Sequence, residues 1–240
     1  MNLLYVYIVS LTLSIMLLSG CVTSDSTGSV NIRNKKHTSA TTKVAFIGHP
    51  NEVSNYNPVA YKPKNPDNVR VKVSLKEQMI YVMEGDRPLL VTATTVGIPQ
   101  KPTPKGHFRV TKKEANRRSY TYGFWVRENE IIPGKSSNRP PGRGWRYVGY
   151  PMPYWVEFMP AYGFHEGYVW PIPRSHGCLR LHKNASKKFF DLVQIGTPIH
   201  IADSHPEDLT LGRDAPRPND YRDPDPPASY LISPAVFARN

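Results

Sequence analysis

Cysteine is almost missing from this chain. Cys21 and Cys178 are its only two in 240 residues. A disulfide framework is therefore excluded, and a zinc site built on several sulfurs has no ligands to draw on. Charge is missing from the first twenty residues, MNLLYVYIVSLTLSIMLLSG, where no side chain is ionisable at neutral pH as an acid or a base. That absence excludes a solvated opening segment and fits a secretory signal, or an uncleaved anchor of about 20 apolar residues. Acids are also in deficit, with 19 Asp and Glu against 31 Lys and Arg and a formal net charge of +12. A basic balance fits an anionic partner or a generally basic, soluble surface. Large apolar residues are scarce in VTSDSTGSVNIRNKKHTSATTK after Cys21, which excludes a packed core there and implies a tether. No internal repeat is present.

The segment Leu18-Ser19-Gly20-Cys21 resembles a bacterial lipobox, in which the cysteine is lipidated and becomes the mature N-terminus. This implies a signal peptide over residues 1–20, lipidation of Cys21, attachment to the outer or inner membrane and exposure to the periplasm. In that compartment nucleic acid is not an expected partner, whereas an anionic cell-wall polymer is. Cys178 is then the single free thiol of an exported protein, a liability unless it has chemical work to do.

Residues 21–67 read as tether and a first short strand at VAFIGHP. The ordered core begins near Val69. VRVKVSL alternates apolar and polar residues, MIYVME follows, GDRP makes a turn, and LLVTATTVG extends a hairpin into a third strand. GIPQKPTPKG reads as loop and HFRVTKK as a strand. Residues 114–159, dense in Gly, Pro, Arg and aromatics, read as an irregular, lid-like insertion. Strands are expected within it at YGFWVR and YWVEF, and a long surface loop at PGKSSNRPPGRGWRY. The arginines of that loop fit either an anionic substrate or simple solvation. HKNASKKFFDLVQIG predicts a helix capped by Asn184, with Ala185, Phe189, Leu192 and Val193 on one face and Gly196 at its end. PIHIAD is a closing strand at the end of a 68–203 domain. Residues 204–240 predict a Pro-rich extended tail, draped over the domain through Tyr230, Leu231 and Phe237.

The chemistry concentrates in RSHGCLRLH, residues 174–182. A thiolate is the nucleophile of cysteine chemistry, so a catalytic cysteine needs a base or a positive environment. His165, His176 and His182 are candidate bases, and Arg174 and Arg180 supply charge. Gly177 permits a sharp turn, and adjacent amides suit a developing oxyanion. An inert buried thiol, or zinc held by His165, His176, Cys178 and His182, are the alternatives that residue types leave open. His182 reads as a surface residue. Trp145, Trp155 and Trp170 read as core or groove residues, with Trp170 available to pack against a sugar or peptide.

SHGCLRL, residues 175–181, resembles the signature of the L,D-transpeptidase catalytic domain, the YkuD family, and GFHEGY supplies the family's upstream histidine at His165. The likeness extends to the hairpin VKVSLKEQMIYVMEGDRPLLVTATTVG, to PTPKGHFRV and to IGTPIHI, in the family's order, over roughly residues 69–202. The resemblance implies a mainly β fold, a sandwich or open barrel, with one helix after the cysteine motif. It implies that Cys178 attacks a peptidoglycan stem peptide, releasing a D-amino acid, and that His165 is base and then acid. Ser175, His176, Gly177, Arg180 and Glu166 take supporting parts. The Gly177 and Cys178 amides serve the oxyanion, and Arg180 holds a substrate carboxylate or braces the loop. The family's residue after the histidine orients the imidazole through its carbonyl. Glu166 stands there in place of the more familiar Gly or Ser and adds a carboxylate. The nine residues between His165 and Ser175, EGYVWPIPR, form a shorter connection than is usual in the family.

These readings imply a monomeric, lipid-anchored cell-wall enzyme with no metal or organic cofactor. The acyl-enzyme passes to a stem-peptide amine, to water as in an L,D-carboxypeptidase, or to a protein. A wall-binding lipoprotein that keeps the fold without catalysis is the reading from another class.

Overall fold

The computed structural model describes residues 51–222 and 226–238. The signal segment, Cys21 and the strand expected at VAFIGHP lie outside the described residues.

Alternation in the sequence becomes pairing in space from Val69 onward. After a two-residue strand β1 (Glu52–Val53) come β2 (Val69–Ser74), β3 (Met79–Glu84) and β4 (Arg87–Thr95). These three pair in antiparallel order. Then follow β5 (Gly106–Arg109), β6 (Lys112–Arg127), β7 (Glu130–Lys135), β8 (Arg146–Met159), β9 (Tyr162–Glu166) and β10 (Leu179–Leu181). The chain continues through α1 (Lys183–Leu192), β11 (Pro198–Ala202), β12 (Arg217–Pro218) and α2 (Ala228–Ile232). Ten strands form one sheet in the order β5-β11-β2-β3-β4-β10-β9-β8-β6-β7, while β1 pairs with β12. The fold is therefore mainly β, with the predicted helix following the cysteine motif.

One core lies between the sheet and α1. Val71, Val73, Ile80, Val82 and Leu90 meet Phe164, Leu179, Leu181, Phe189, Ile199 and Ile201 there. A second core covers the opposite face of β3, where Met79, Tyr81 and Met83 pack with Ala93, Val169 and Ala215. This explains why MIYVME is apolar almost throughout: β3 is buried on both faces.

The helix is capped differently from the expectation. His182 is the N-cap, and its side chain accepts the Asn184 N–H, so Asn184 lies inside the first turn. The helix stops at Leu192, before Gly196; Val193 is the C-cap and is buried. The expected HFRVTKK strand is broken at Val110 and Thr111, which bond to Thr197 and Glu157 in separate strand systems.

The stretch 114–159 is not irregular; it is mostly long strand. Proline and glycine have two uses there that look like loop signals in sequence. Pro151 and Pro153 sit in β8, whose pairing with β9 begins only at Val156, so their missing N–H groups face an unpaired edge. Gly123 and Gly149 mark a bulge where backbones nearly touch: a Cβ on Gly149 would meet Ser119 O at 1.9 Å. Only the 136–145 connection remains loop.

The C-terminal segment is likewise more than an extended strap. Asp208 accepts from Tyr81 Oη at 2.7 Å, Arg217 donates to Glu77 O at 2.5 Å, and His205 Nε2 meets Val73 O at 3.1 Å. Leu231 is buried against Phe124 and Val126, Arg118 stacks on Phe237, and Tyr230 stays largely exposed. Apolar anchors and backbone bonds hold what composition alone marks as tail.

Candidate active site

Parallel neighbours need a crossover of about a dozen residues. β9 and β10 are such a pair, with Arg180 opposite His165 and Leu179 opposite Phe164. Residues 167–178 make the crossover, which delivers Cys178 to the edge of β10. Alternation then sorts the side chains. Phe164, Leu179 and Leu181 enter the α1 core, leaving His165 and Arg180 on the opposite face; Cys178 directly precedes β10, and Arg180 and Arg117 are the charges that act on its sulfur.

The loop is tied at both ends. Ser175 is buried; its Oγ donates to Cys178 O at 2.6 Å and accepts from Gly177 N at 3.0 Å. Its backbone bonds to Val96 and Ile98 fix the loop to the residues that leave β4. Gly177 has φ +105°, and a Cβ there would stand 2.5 Å from the Tyr162 ring, so both conformation and space require glycine. Further upstream, Trp170 exchanges bonds with Thr95 Oγ1, and the Arg174 guanidinium lies 3.8 Å from the Trp170 ring centre.

Cys178 is half-buried as a residue, and its thiol donates to Ala161 O at 3.8 Å. Burial of the sulfur raises its pKa, against the opposing pull of the Gly163 amide, Arg180 and Arg117. His165 is buried. Its Nδ1 lies 2.8 Å from Glu166 O, and since a carbonyl only accepts, Nδ1 carries the proton and Nε2 the lone pair. Desolvation, then Arg180, lowers the His165 pKa to about 4. Both groups are thus neutral near pH 7, in contrast to the ionised sulfur that residue types suggested. No hydrogen bond joins them among the described residues; contacts of this kind commonly tighten only when substrate binds.

Glu166 orients the ring through its carbonyl. Its carboxylate turns the other way and accepts from Ser186 Oγ at 2.8 Å. His176 is exposed, packs against Tyr122 at 5.0 Å between ring centres, and has a pKa lowered by desolvation and by Lys101, Arg180 and Lys135. The Gly177 N–H is committed to Ser175, so of the two expected oxyanion amides only that of Cys178 is left. Arg180 is half-buried, and its aliphatic stem packs on Gly167.

His182 does not join this group. It is buried, caps α1, and places Nε2 3.1 Å from Asp220, contrary to its reading as a surface residue. Among the described residues no cluster of three or more His, Cys, Asp or Glu is arranged to hold a metal. Trp145, Trp155 and Trp170 are all buried.

Sequence reasoning missed Arg117. Its buried guanidinium stacks over Trp155 at 4.8 Å and donates to Glu114 at 2.9 Å, while Nε has no partner among the described residues. Trp155 in turn faces His165 at 6.2 Å between ring centres. Nothing in the run EANRRSY distinguishes this arginine from Arg118 beside it; only the β6–β8 register brings it beside the site.

The model of the L,D-transpeptidase catalytic domain, YkuD, matches residues 68–201, more than half of the chain. No curated protein gives a significant match. Solved structures similar to the chain include an L,D-transpeptidase (Yku) from Stackebrandtia nassauensis, 22% identical, with 61% of this chain and 60% of that one covered and a TM-score of 0.42. An L,D-transpeptidase from Mycobacterium smegmatis is 18% identical over 56% and 58% of the two chains, with a TM-score of 0.42. L,D-transpeptidase 1 of Mycobacterium tuberculosis is 22% identical over 57% and 60%, with a TM-score of 0.40. The matched part thus spans about three-fifths of the length of these solved chains. On the family match over residues 68–201, this chain belongs to the YkuD family of L,D-transpeptidase catalytic domains.

Proposed function

We propose that this chain is a peptidoglycan L,D-transpeptidase that works through a thioester on Cys178. The observation that carries the reading is the fixed tautomer of His165. A buried imidazole with Nδ1–H bound to Glu166 O presents an unprotonated Nε2 on β9, the strand paired with the one that Cys178 leads into.

The reaction follows from a neutral pair. Nε2 of His165 takes the thiol proton as Sγ attacks the carbonyl between an L-centre and a D-residue of the donor stem peptide. The Cys178 amide and the positive field of Arg180 and Arg117 favour the oxyanion. Collapse breaks the C–N bond; the imidazolium gives its proton to the leaving amine, and a D-amino acid departs. In the second half the acceptor amine attacks the thioester, His165 takes its proton, and the sulfur leaves and is reprotonated. Arg180 holds a substrate carboxylate. Ser175 and Gly177 shape the loop, and Glu166 positions the base.

A stem-peptide amine as acceptor gives a cross-link between two diamino acids. Water gives an L,D-carboxypeptidase, and a protein amine attaches that protein to the wall. We further propose that residues 1–20 are a lipoprotein signal and that Cys21 carries the lipid at the periplasmic face. The tether would end near residue 67, ahead of a 68–203 catalytic domain. The chain acts as a monomer.

Incubation with disaccharide-tetrapeptide, read by mass, tests the function. Dimer or tripeptide from the parent chain and neither from Cys178→Ala support the reading. A carbapenem adduct on neither protein would favour a non-catalytic wall binder.

A further inference from the structure

Around His176, two residues before the nucleophile, gather Lys101, Lys135 and Arg180. Lys101 lies on the turn that leaves β4, and that turn is bonded to the cysteine loop, since Ile98 N–H donates to Ser175 O at 3.0 Å. Lys101 Nζ donates to Tyr122 Oη at 2.8 Å. Lys135 is the β7 partner of Tyr122 across the ladder, and its Nζ stands 5.9 Å from the centre of the same ring. Tyr122 itself packs on His176, two residues before the nucleophile.

Four lysines elsewhere on the domain are paired with acids, Lys72 with Glu207, Lys105 with Asp203, Lys112 with Glu114 and Lys187 with Asp191, while Lys113 and Lys188 bond to neutral oxygens. Among the described residues no carboxylate pairs with Lys101, Lys135 or Arg180. The three act together on His176, whose pKa they lower after desolvation. Like charges gathered at a partly desolvated site are stabilised when an anion enters.

We propose that Lys101 and Lys135, braced by Tyr122, form a seat for a free carboxylate of the donor stem peptide and so select donors that carry one. The inference rests on the acyl-transfer reading above and adds residues that discriminate among donors. Two carboxylates share this chemistry: the C-terminal one on the departing D-residue and the side-chain one on the diamino acid.

Binding to the full chain carrying Cys178→Ala separates the seat from the chemistry. The probes are the tetrapeptide with both carboxylates free, its C-terminal amide and its side-chain carboxamide. Adding Lys101→Gln and Lys135→Gln should weaken the free acid about tenfold, the effect of one charge-assisted hydrogen bond. Lys101→Arg and Lys135→Arg should restore most of it. Amidation at the recognised carboxylate should remove the difference between the lysine and glutamine chains, which identifies the source. Equal affinity of both chains for the free acid, or equal weakening of all three peptides, would overturn the seat. Acylation of Cys178 in the otherwise native chain is followed separately. Binding that depends on the lysines without any acylation would sink the proposed reaction and leave the seat standing. Acylation that ignores the lysines would do the reverse.

Discussion

The two arms of the large sheet are built to different rules. In the arm β11-β2-β3-β4 the α1 core buries one face throughout, and β3 and most of β4 are buried on the other face as well, partly by the C-terminal segment. In the arm β8-β6-β7 two strands, β6 and β8, are much longer and bulged, β6 is rich in charge, and the arm brings Arg117 beside Trp155 and Tyr122 and Lys135 toward His176. The seam between them is the parallel pair β9 and β10, with His165 on β9 and Cys178 immediately before β10. Two-sided apolar packing is therefore concentrated in one arm and charge in the other, and a site at the seam draws rigidity from the first and charge from the second.

The sharpest way to break this division is at the seam. His165→Gln should slow thioester formation by roughly 10²–10⁴-fold, the range for a lost general base, as read by stopped-flow with a donor peptide. The packed arm should answer in stability instead. Phe189 is fully buried under the sheet, and Phe189→Ala should cost about 3–5 kcal/mol in urea unfolding. On the charged arm, Tyr120 is 74% exposed, and Tyr120→Ala should stay within about 0.5 kcal/mol. Equal losses at the two positions would erase the contrast.

The acid limb of stability sharpens the same comparison. The folded His165 has a pKa near 4, below the unfolded value of 6.5, so the unfolded chain binds the extra proton between those values. Stability should therefore rise with pH across that window and be lost as pH falls from 6.5 toward 4. The contribution is on the order of 3 kcal/mol, and His165→Gln should remove it from the pH profile of unfolding. A smaller effect on activity belongs to the loop of the charged arm. Trimming residues 136–144 should reduce acylation severalfold and leave the unfolding midpoint almost unmoved. A large loss of folding instead would make that loop part of the core.

The packed arm was easy to read in the sequence because its signals are local. VRVKVSL, MIYVME and LLVTATTVG alternate or run apolar, and Gly85 marks the turn between β3 and β4. The charged arm was obscured because its proline and glycine serve an unpaired strand edge and a bulge, uses defined only by neighbours far along the chain. At the site, the spacing of Ser175, Gly177 and Cys178 was legible, but how their amides are used was not. Ser175 takes the Gly177 N–H, so the oxyanion amide pair suggested by the motif is reduced to one. His182 looked solvated because nothing nearby in sequence shows that it caps α1 and meets Asp220. Arg117 and the Lys101–Tyr122–Lys135 group come from three separate segments and converge only after the sheet has formed.

The most direct test is the intact mass of the chain after brief mixing with donor tetrapeptide. A gain equal to the donor minus one D-amino acid is expected on the parent protein and not on Cys178→Ala. An adduct on both proteins, or a parent chain that releases product without ever carrying the mass, would contradict a thioester on this sulfur.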